Sequence, residues 1–100
     1  MKITIELQDK NIHNALERPH SRYWTNECYW DPSTCTGNVI DRLEDNEPKI
    51  FLNSESIGKA FDVMYKEYPM CFARFMAGEI DGVDGDTLLQ LMAFGERKYV

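Results

Sequence analysis

Residues 53–99 read NSESIGKAFDVMYKEYPMCFARFMAGEIDGVDGDTLLQLMAFGERKY, and the periodicity of this stretch decides the fold. Ile57, Ala60, Phe61, Met64, Tyr65 and Tyr68 recur at three- and four-residue spacing, which lines one side of an α-helix and leaves Lys59, Asp62, Lys66 and Glu67 for water. Asn53 or Ser54 can accept a first-turn backbone N–H, and Glu55 stands where the helix dipole favours a carboxylate. Pro69 ends this helix and suits the start of a second, expected over residues 70–77, with Phe72, Phe75 and Met76 packed on the first and Gly78 as its stop. An acidic, glycine-rich loop over residues 79–85 follows. Asp84 is expected to cap a third helix, in which Leu88, Leu89, Leu91 and Met92 face inward and which Gly95 ends.

Upstream, the pattern changes to strands. Residues 2–8 alternate Ile3, Ile5 and Leu7 with Thr4, Glu6 and Gln8, the signature of a half-buried strand. This segment lacks the continuous apolar centre of a secretory signal, so the mature chain is expected to start here. Asp9 can cap a short helix carrying Ile12, Ala15 and Leu16, which stops before Pro19 and leans on the sheet. Residues 22–30 read as an aromatic strand, with Trp24, Cys28 and Trp30 at even positions and Tyr23 and Tyr29 at odd ones. A turn region from Asp31 and Pro32 through Gly37 and Asn38 leads to a strand over 39–44. Asn46, Glu47 and Pro48 then turn the chain into a short strand over 49–52. The expected fold is α+β, one domain over residues 1–100, with a small antiparallel sheet of three or four strands and a C-terminal layer of about three helices.

With 100 residues, 43% of them hydrophobic, the chain can build one core but not two. Its net charge of −6 opposes non-specific contact with nucleic acid or an anionic membrane, so neither is expected as a direct partner and a basic protein surface fits better. No apolar run approaches the roughly 18 residues that cross a bilayer, and a cytoplasmic location is expected. Cys28, Cys35 and Cys71 are odd in number and come without an export signal, so reduced thiols are expected.

Chemistry-bearing constellations are weak. Cys28 and Cys35 with His13 or His20 carry zinc-type donors, but the spacing lacks the close pairs that one turn aims at a single ion. Asp81, Asp84 and Asp86 fail the calcium-loop template, because Val83 takes its third position and no glutamate closes it. Cys71 lies just inside a helix N-terminus, where the dipole favours a thiolate, yet no local signature aims an imidazole at it. Gly78, Gly82 and Gly85 alternate with acids, which would repel a phosphate. No catalytic residue, metal or cofactor is expected.

Binding is the better expectation, on two surfaces. Residues 75–96 hold Glu79, Asp81, Asp84, Asp86 and Glu96 without a lysine or arginine, and Asp41, Glu44, Asp45 and Glu47 form a second acidic stretch. Brought together, they would make a negative face for the lysines and arginines with which a nucleic-acid machine holds phosphates. Tyr23, Trp24, Tyr29 and Trp30 exceed what one strand face can hide, so some are expected at a surface, where such side chains anchor partners.

The closing stretch also carries Asp81, Asp86, Leu89, Gln90, Phe94, Gly95, Glu96 and Tyr99, preceded by the Tyr68–Pro69 stop and, further upstream, the Tyr23–Trp24 pair. In these features the chain resembles a family of small accessory proteins encoded by bacteriophages and prophages. It departs from the family at Asp84, where threonine is common, and at Val100, where a glycine usually closes the chain. The resemblance implies a phage genome, not a known catalytic activity. Such accessory proteins include inhibitors of host defence, anti-CRISPR proteins among them. The expected function is therefore a protein-binding inhibitor that occludes a basic surface of a host complex, such as a CRISPR effector. A self-associating phage structural or regulatory component, with a possible homodimer, and a small metal-binding protein are the alternatives.

Overall fold

The structure, a computed structural model, describes Leu16 and residues 24–99. The strand expected over 2–8, the short helix apart from Leu16, and Tyr23, His13, His20 and Val100 lie outside the described residues. Leu16 itself is helical and buried.

Three strands, β1 (Thr25–Asp31), β2 (Thr36–Asp41) and β3 (Lys49–Asn53), form an antiparallel sheet in the order β1-β2-β3. Three helices follow, α1 (Ser54–Glu67), α2 (Pro69–Ala77) and α3 (Gly82–Phe94), giving the expected α+β fold.

The β1–β2 connection is tighter than expected. The Asp31 carboxylate accepts from the Ser33 backbone N–H (2.9 Å) and hydroxyl (2.6 Å), and Cys35 takes a left-handed conformation at φ 53°, so the turn closes within four residues. Gly37 and Asn38, read above as turn residues, are paired strand residues opposite Trp30 and Tyr29. Gly37 serves close approach instead: a Cβ there would overlap the Tyr29 carbonyl oxygen and press on the Trp30 ring. Towards the other end of β1 a bulge sets Asn26 and Glu27 against Ile40, between the pairs Thr25–Asp41 and Cys28–Val39.

Alternation along the strands then sorts the two faces. Trp30, Val39 and Leu52 are buried on the inner face; Tyr29 and Phe51 are exposed on the outer one. α1 begins directly at the end of β3, where Asn53 accepts from the Ser56 N–H (3.0 Å) and the Ser56 hydroxyl faces the Asn53 N–H (3.3 Å). Its stripe buries Ala60, Phe61 and Met64 and half-buries Ile57 and Tyr68. Tyr65, expected inside, is 66% exposed and only lies edge-on to Phe72; it stands at the margin of the stripe, next to the fully buried Met64. Pro69 opens α2, whose Phe75 meets Phe61 edge-on at 5.4 Å, and Gly78 closes it at φ 72°.

α3 starts one turn earlier than expected. Asp81, not Asp84, is its N-cap: Asp81 accepts from the Asp84 N–H (2.8 Å) and Asp84 reaches back to the Asp81 N–H (3.3 Å). From Asp84 to Met92 every residue is buried, so α3 is the interior helix of the fold. Leu88, Leu89, Leu91 and Met92 face inward as expected, each apolar side chain contributing about 1.5–3 kcal/mol by leaving water. Among the described residues, no helix is long and apolar enough to cross a membrane.

Candidate functional site

A helix buried on all sides must find partners for every polar group it carries, because an unpaired one costs about 1–3 kcal/mol. α3 brings in four polar side chains: Asp84, Asp86, Thr87 and Gln90. Thr87 is satisfied by its own helix, donating to the Val83 carbonyl (2.9 Å). Asp86 accepts from the Trp24 indole N–H on one oxygen (2.7 Å) and from the Gln90 amide on the other (2.8 Å). Gln90 in turn pairs with the backbone of Tyr99, donating to its carbonyl and accepting from its N–H, both at 2.7 Å. The Tyr99 hydroxyl donates to Asp41 (2.8 Å), a carboxylate fully buried at the end of β2 that also accepts from the Leu43 N–H (3.0 Å). Burial first, and the bond to Asp41 second, raise the Tyr99 pKa. Lys98 closes the group from outside. Its Nζ lies 3.5 Å from Asp41 and 3.4 Å from Glu44, and sits over the Phe94 and Tyr99 rings at 4.9 and 5.2 Å. Burial would lower the Lys98 pKa, but hydrogen bonds to Tyr99 and Glu44 outweigh it and raise it.

The second buried acid is equally committed. Asp84 receives a two-pronged hydrogen bond from Arg74, at 2.6 and 2.7 Å. Burial opposes its charge, yet Arg74, the Asp81 N–H and the Cys71 thiol together hold the Asp84 carboxyl below its usual range. The same contact pushes Arg74 further up. Cys71, buried against this pair, has its pKa pushed up to about 12, by burial first and the Asp84 charge second. That reverses the expectation that the helix dipole would favour a thiolate at Cys71.

These contacts correct the expected contact surface. Asp84, Asp86, Trp24 and Trp30 are interior residues, 1%, 6%, 0% and 3% exposed. The two acids lie inside because α3 does, and the two tryptophans because they fill the space between sheet and helices. The turn after α2 therefore displays Glu79 and Asp81 outward and folds the other two carboxylates in. Glu44, Asp45 and Glu47 remain exposed on the β2–β3 loop. That loop carries Asn46 and Glu47 in left-handed conformations, φ 69° and 42°, which cost Glu more than Asn. The Asn26 amide donates to Glu47 and fixes it beside β1.

The two acidic groups do not merge. Asp81 caps the start of α3, whereas Glu44 meets Lys98 beside Phe94, the last residue of that helix. A 13-residue helix is about 20 Å from end to end, more than twice the roughly 8 Å screening length at physiological salt, so the groups act separately.

On the outer face of the sheet, Tyr29 (55% exposed) and Phe51 (72%) flank Asn38 in one cross-strand row. Phe51 and Asn38 had no place among the expected contact residues. The strict alternation of Ile50, Phe51 and Leu52 was the available signal, since two of the three must share a face. A shallow groove of about 260 Å³ runs between the start of α1 and the end of α3, with the exposed Lys59–Glu55 pair on one wall and Leu91 and Met92 on the other. Among the described residues, no three His, Cys, Asp or Glu side chains converge as a metal site would require.

Four residues of the closing stretch thus have an internal role. Asp86, Gln90, Phe94 and Tyr99, with Trp24, form one hydrogen-bonded and ring-stacked cluster that ties residues 94–99 to Trp24, just before β1, and to Asp41 at the end of β2. Compared with known proteins, the chain matches no family model, no curated protein and no solved structure.

Proposed function

We propose that this chain is a phage-encoded protein-binding inhibitor that covers a basic surface of a host defence or nucleic-acid-processing complex, in the manner of an anti-CRISPR protein, with no catalysis of its own. The observation that carries this reading is the β2–β3 loop, which holds Glu44, Asp45 and Glu47 exposed and keeps Glu47 in a conformation that a glutamate enters only at a cost. Strain retained at an acidic surface loop favours a contact role for it. The net charge of −6 and the family resemblance support the same class of partner. The buried acids lend it nothing, because their charges are already answered within the molecule.

The test is affinity capture from a bacterial host lysate at low salt, followed by assay of the retained complex for nucleic-acid cleavage with the chain added. Inhibition that fades in the triple variant Glu44→Lys, Asp45→Lys, Glu47→Lys supports the reading. Each reversal adds two charges, so this variant moves the net charge from −6 to 0. Retention unchanged in that variant, or a retained complex whose cleavage is unaffected, overturns it. The exposed Phe51 favours a second reading, a self-associating phage component. A concentration-dependent dimer that Phe51→Ala abolishes, with no host complex retained, would select it.

A further inference from the structure

We infer that the outer face of the sheet, centred on the row Tyr29, Asn38 and Phe51, docks an arginine-bearing segment of a partner protein. This rests on the inhibitory reading above and names the contact for it.

The register sets Tyr29 opposite Asn38 and Asn38 opposite Phe51. Strands lie about 4.8 Å apart, so the two aromatic stems stand roughly 10 Å apart with the asparagine between them. A flat cation lowered onto Asn38 would lie about 5 Å from either ring, inside the ~6 Å reach of a cation–π contact. The Asn38 amide oxygen could accept from it. A guanidinium fits such a slot better than an ammonium, because it stacks by its face and keeps its edge donors for carboxylates.

Carboxylates stand along the same strand. Glu27 is exposed on β1 two residues before Tyr29, Asp31, bonded to Ser33 through one oxygen, stands two residues after it, and Glu47 is bonded to Asn26 near the start of the strand. Lys49 is the one lysine or arginine within the three strands. The molecule already contains a filled version of this arrangement, in which Lys98 lies over two rings and between two carboxylates. A second copy of the chain is the poorer occupant, since each copy brings a net charge of −6 to an acidic face.

The probe is a short, end-blocked peptide of alternating arginine and glycine, titrated into the isotope-labelled full chain and followed by backbone amide shifts, with the lysine–glycine peptide as control. Shifts centred on Tyr29, Asn38 and Phe51 are expected, with the lysine peptide binding more weakly. Phe51→Ala should weaken binding about two- to fivefold, and Lys49→Glu should strengthen it by a similar factor. Both positions are exposed, so an unchanged near-ultraviolet tryptophan signal verifies the fold of each variant. Shifts confined to the Glu79 and Asp81 turn, equal binding of the lysine peptide, or unchanged affinity in Phe51→Ala overturns the proposal. So do sheet-face shifts that disappear on dilution without peptide, which would assign the face to a second copy. A host complex that is inhibited equally by wild type and Phe51→Ala overturns this surface and leaves the inhibitory reading standing. Arginine-peptide binding at the sheet with no host complex inhibited does the reverse.

Discussion

Replacing Asp86 by asparagine tests the account of the interior most sharply, because it changes one atom and no shape. Both Asp86 oxygens accept, one from Trp24 and one from Gln90. Asparagine keeps one acceptor and puts an NH₂ group where the second stood, so a donor meets a donor. Gln90 cannot turn its amide over to help, since its oxygen and nitrogen are already paired with the Tyr99 N–H and carbonyl. One charge-assisted hydrogen bond is lost and one buried donor is stranded, a cost of about 2–3 kcal/mol. For a domain of this size each kcal/mol moves the melting temperature by roughly 4–8 °C, so Asp86→Asn should melt roughly 10–20 °C lower. Thermal and urea unfolding followed by near-ultraviolet circular dichroism measures this, since Trp24 reports on the site directly. A fall of less than about 3 °C would refute the claim that these bonds hold the cluster together.

Four further outcomes follow from the geometry. Gly37→Ala should cost at least about 2 kcal/mol in urea unfolding, because its Cβ has no room against the Tyr29 carbonyl and Trp30. Glu47→Gly relieves the left-handed backbone but deletes the bond from Asn26, so stability should change by no more than about 1 kcal/mol while capture of a basic partner weakens; unchanged capture would count against the loop as the contact. Cys71 should resist alkylation in the native state, since a pKa near 12 against an ordinary 9.0 makes its thiolate about three orders of magnitude rarer at pH 8; mass spectrometry of a timed iodoacetamide reaction checks this. Asp84 has a folded pKa below its ordinary 3.8, so its pairing with Arg74 stabilises the fold fully above that value and is lost as pH falls through the lower, folded value. The stability difference between wild type and Asp84→Asn, from urea titrations, should therefore be level above about pH 5 and shrink below pH 3.8; a difference that persists in stronger acid would count against the pairing.

The helices were legible because a helix announces itself locally. Ala60, Phe61 and Met64 lie where three- and four-residue spacing puts them, and Asn53, Pro69, Gly78 and Gly95 mark real boundaries. Asp81 and Asp84 could not be ranked as caps from sequence, since each precedes a glycine and the choice depends on the reciprocal bonds between them. Gly37 looked like a turn residue because what it makes room for, the Trp30 ring, lies on the neighbouring strand. The acids of α3 were the hardest to read. An aspartate beside leucines is written the same way whether it faces water or an indole N–H, and the donor that decides the case for Asp86 lies 62 residues away. Burial all round α3 also erased the one-sided pattern that would have placed Asp86 and Gln90 against a particular neighbour.

The inward turn of Asp86, Gln90, Phe94 and Tyr99 separates what holds this molecule together from what it offers outward. Changes at those four positions act first on the integrity of the scaffold. Residues 27, 29, 38, 49 and 51 take no part in that cluster, so the sheet face could be rewritten with the frame left standing.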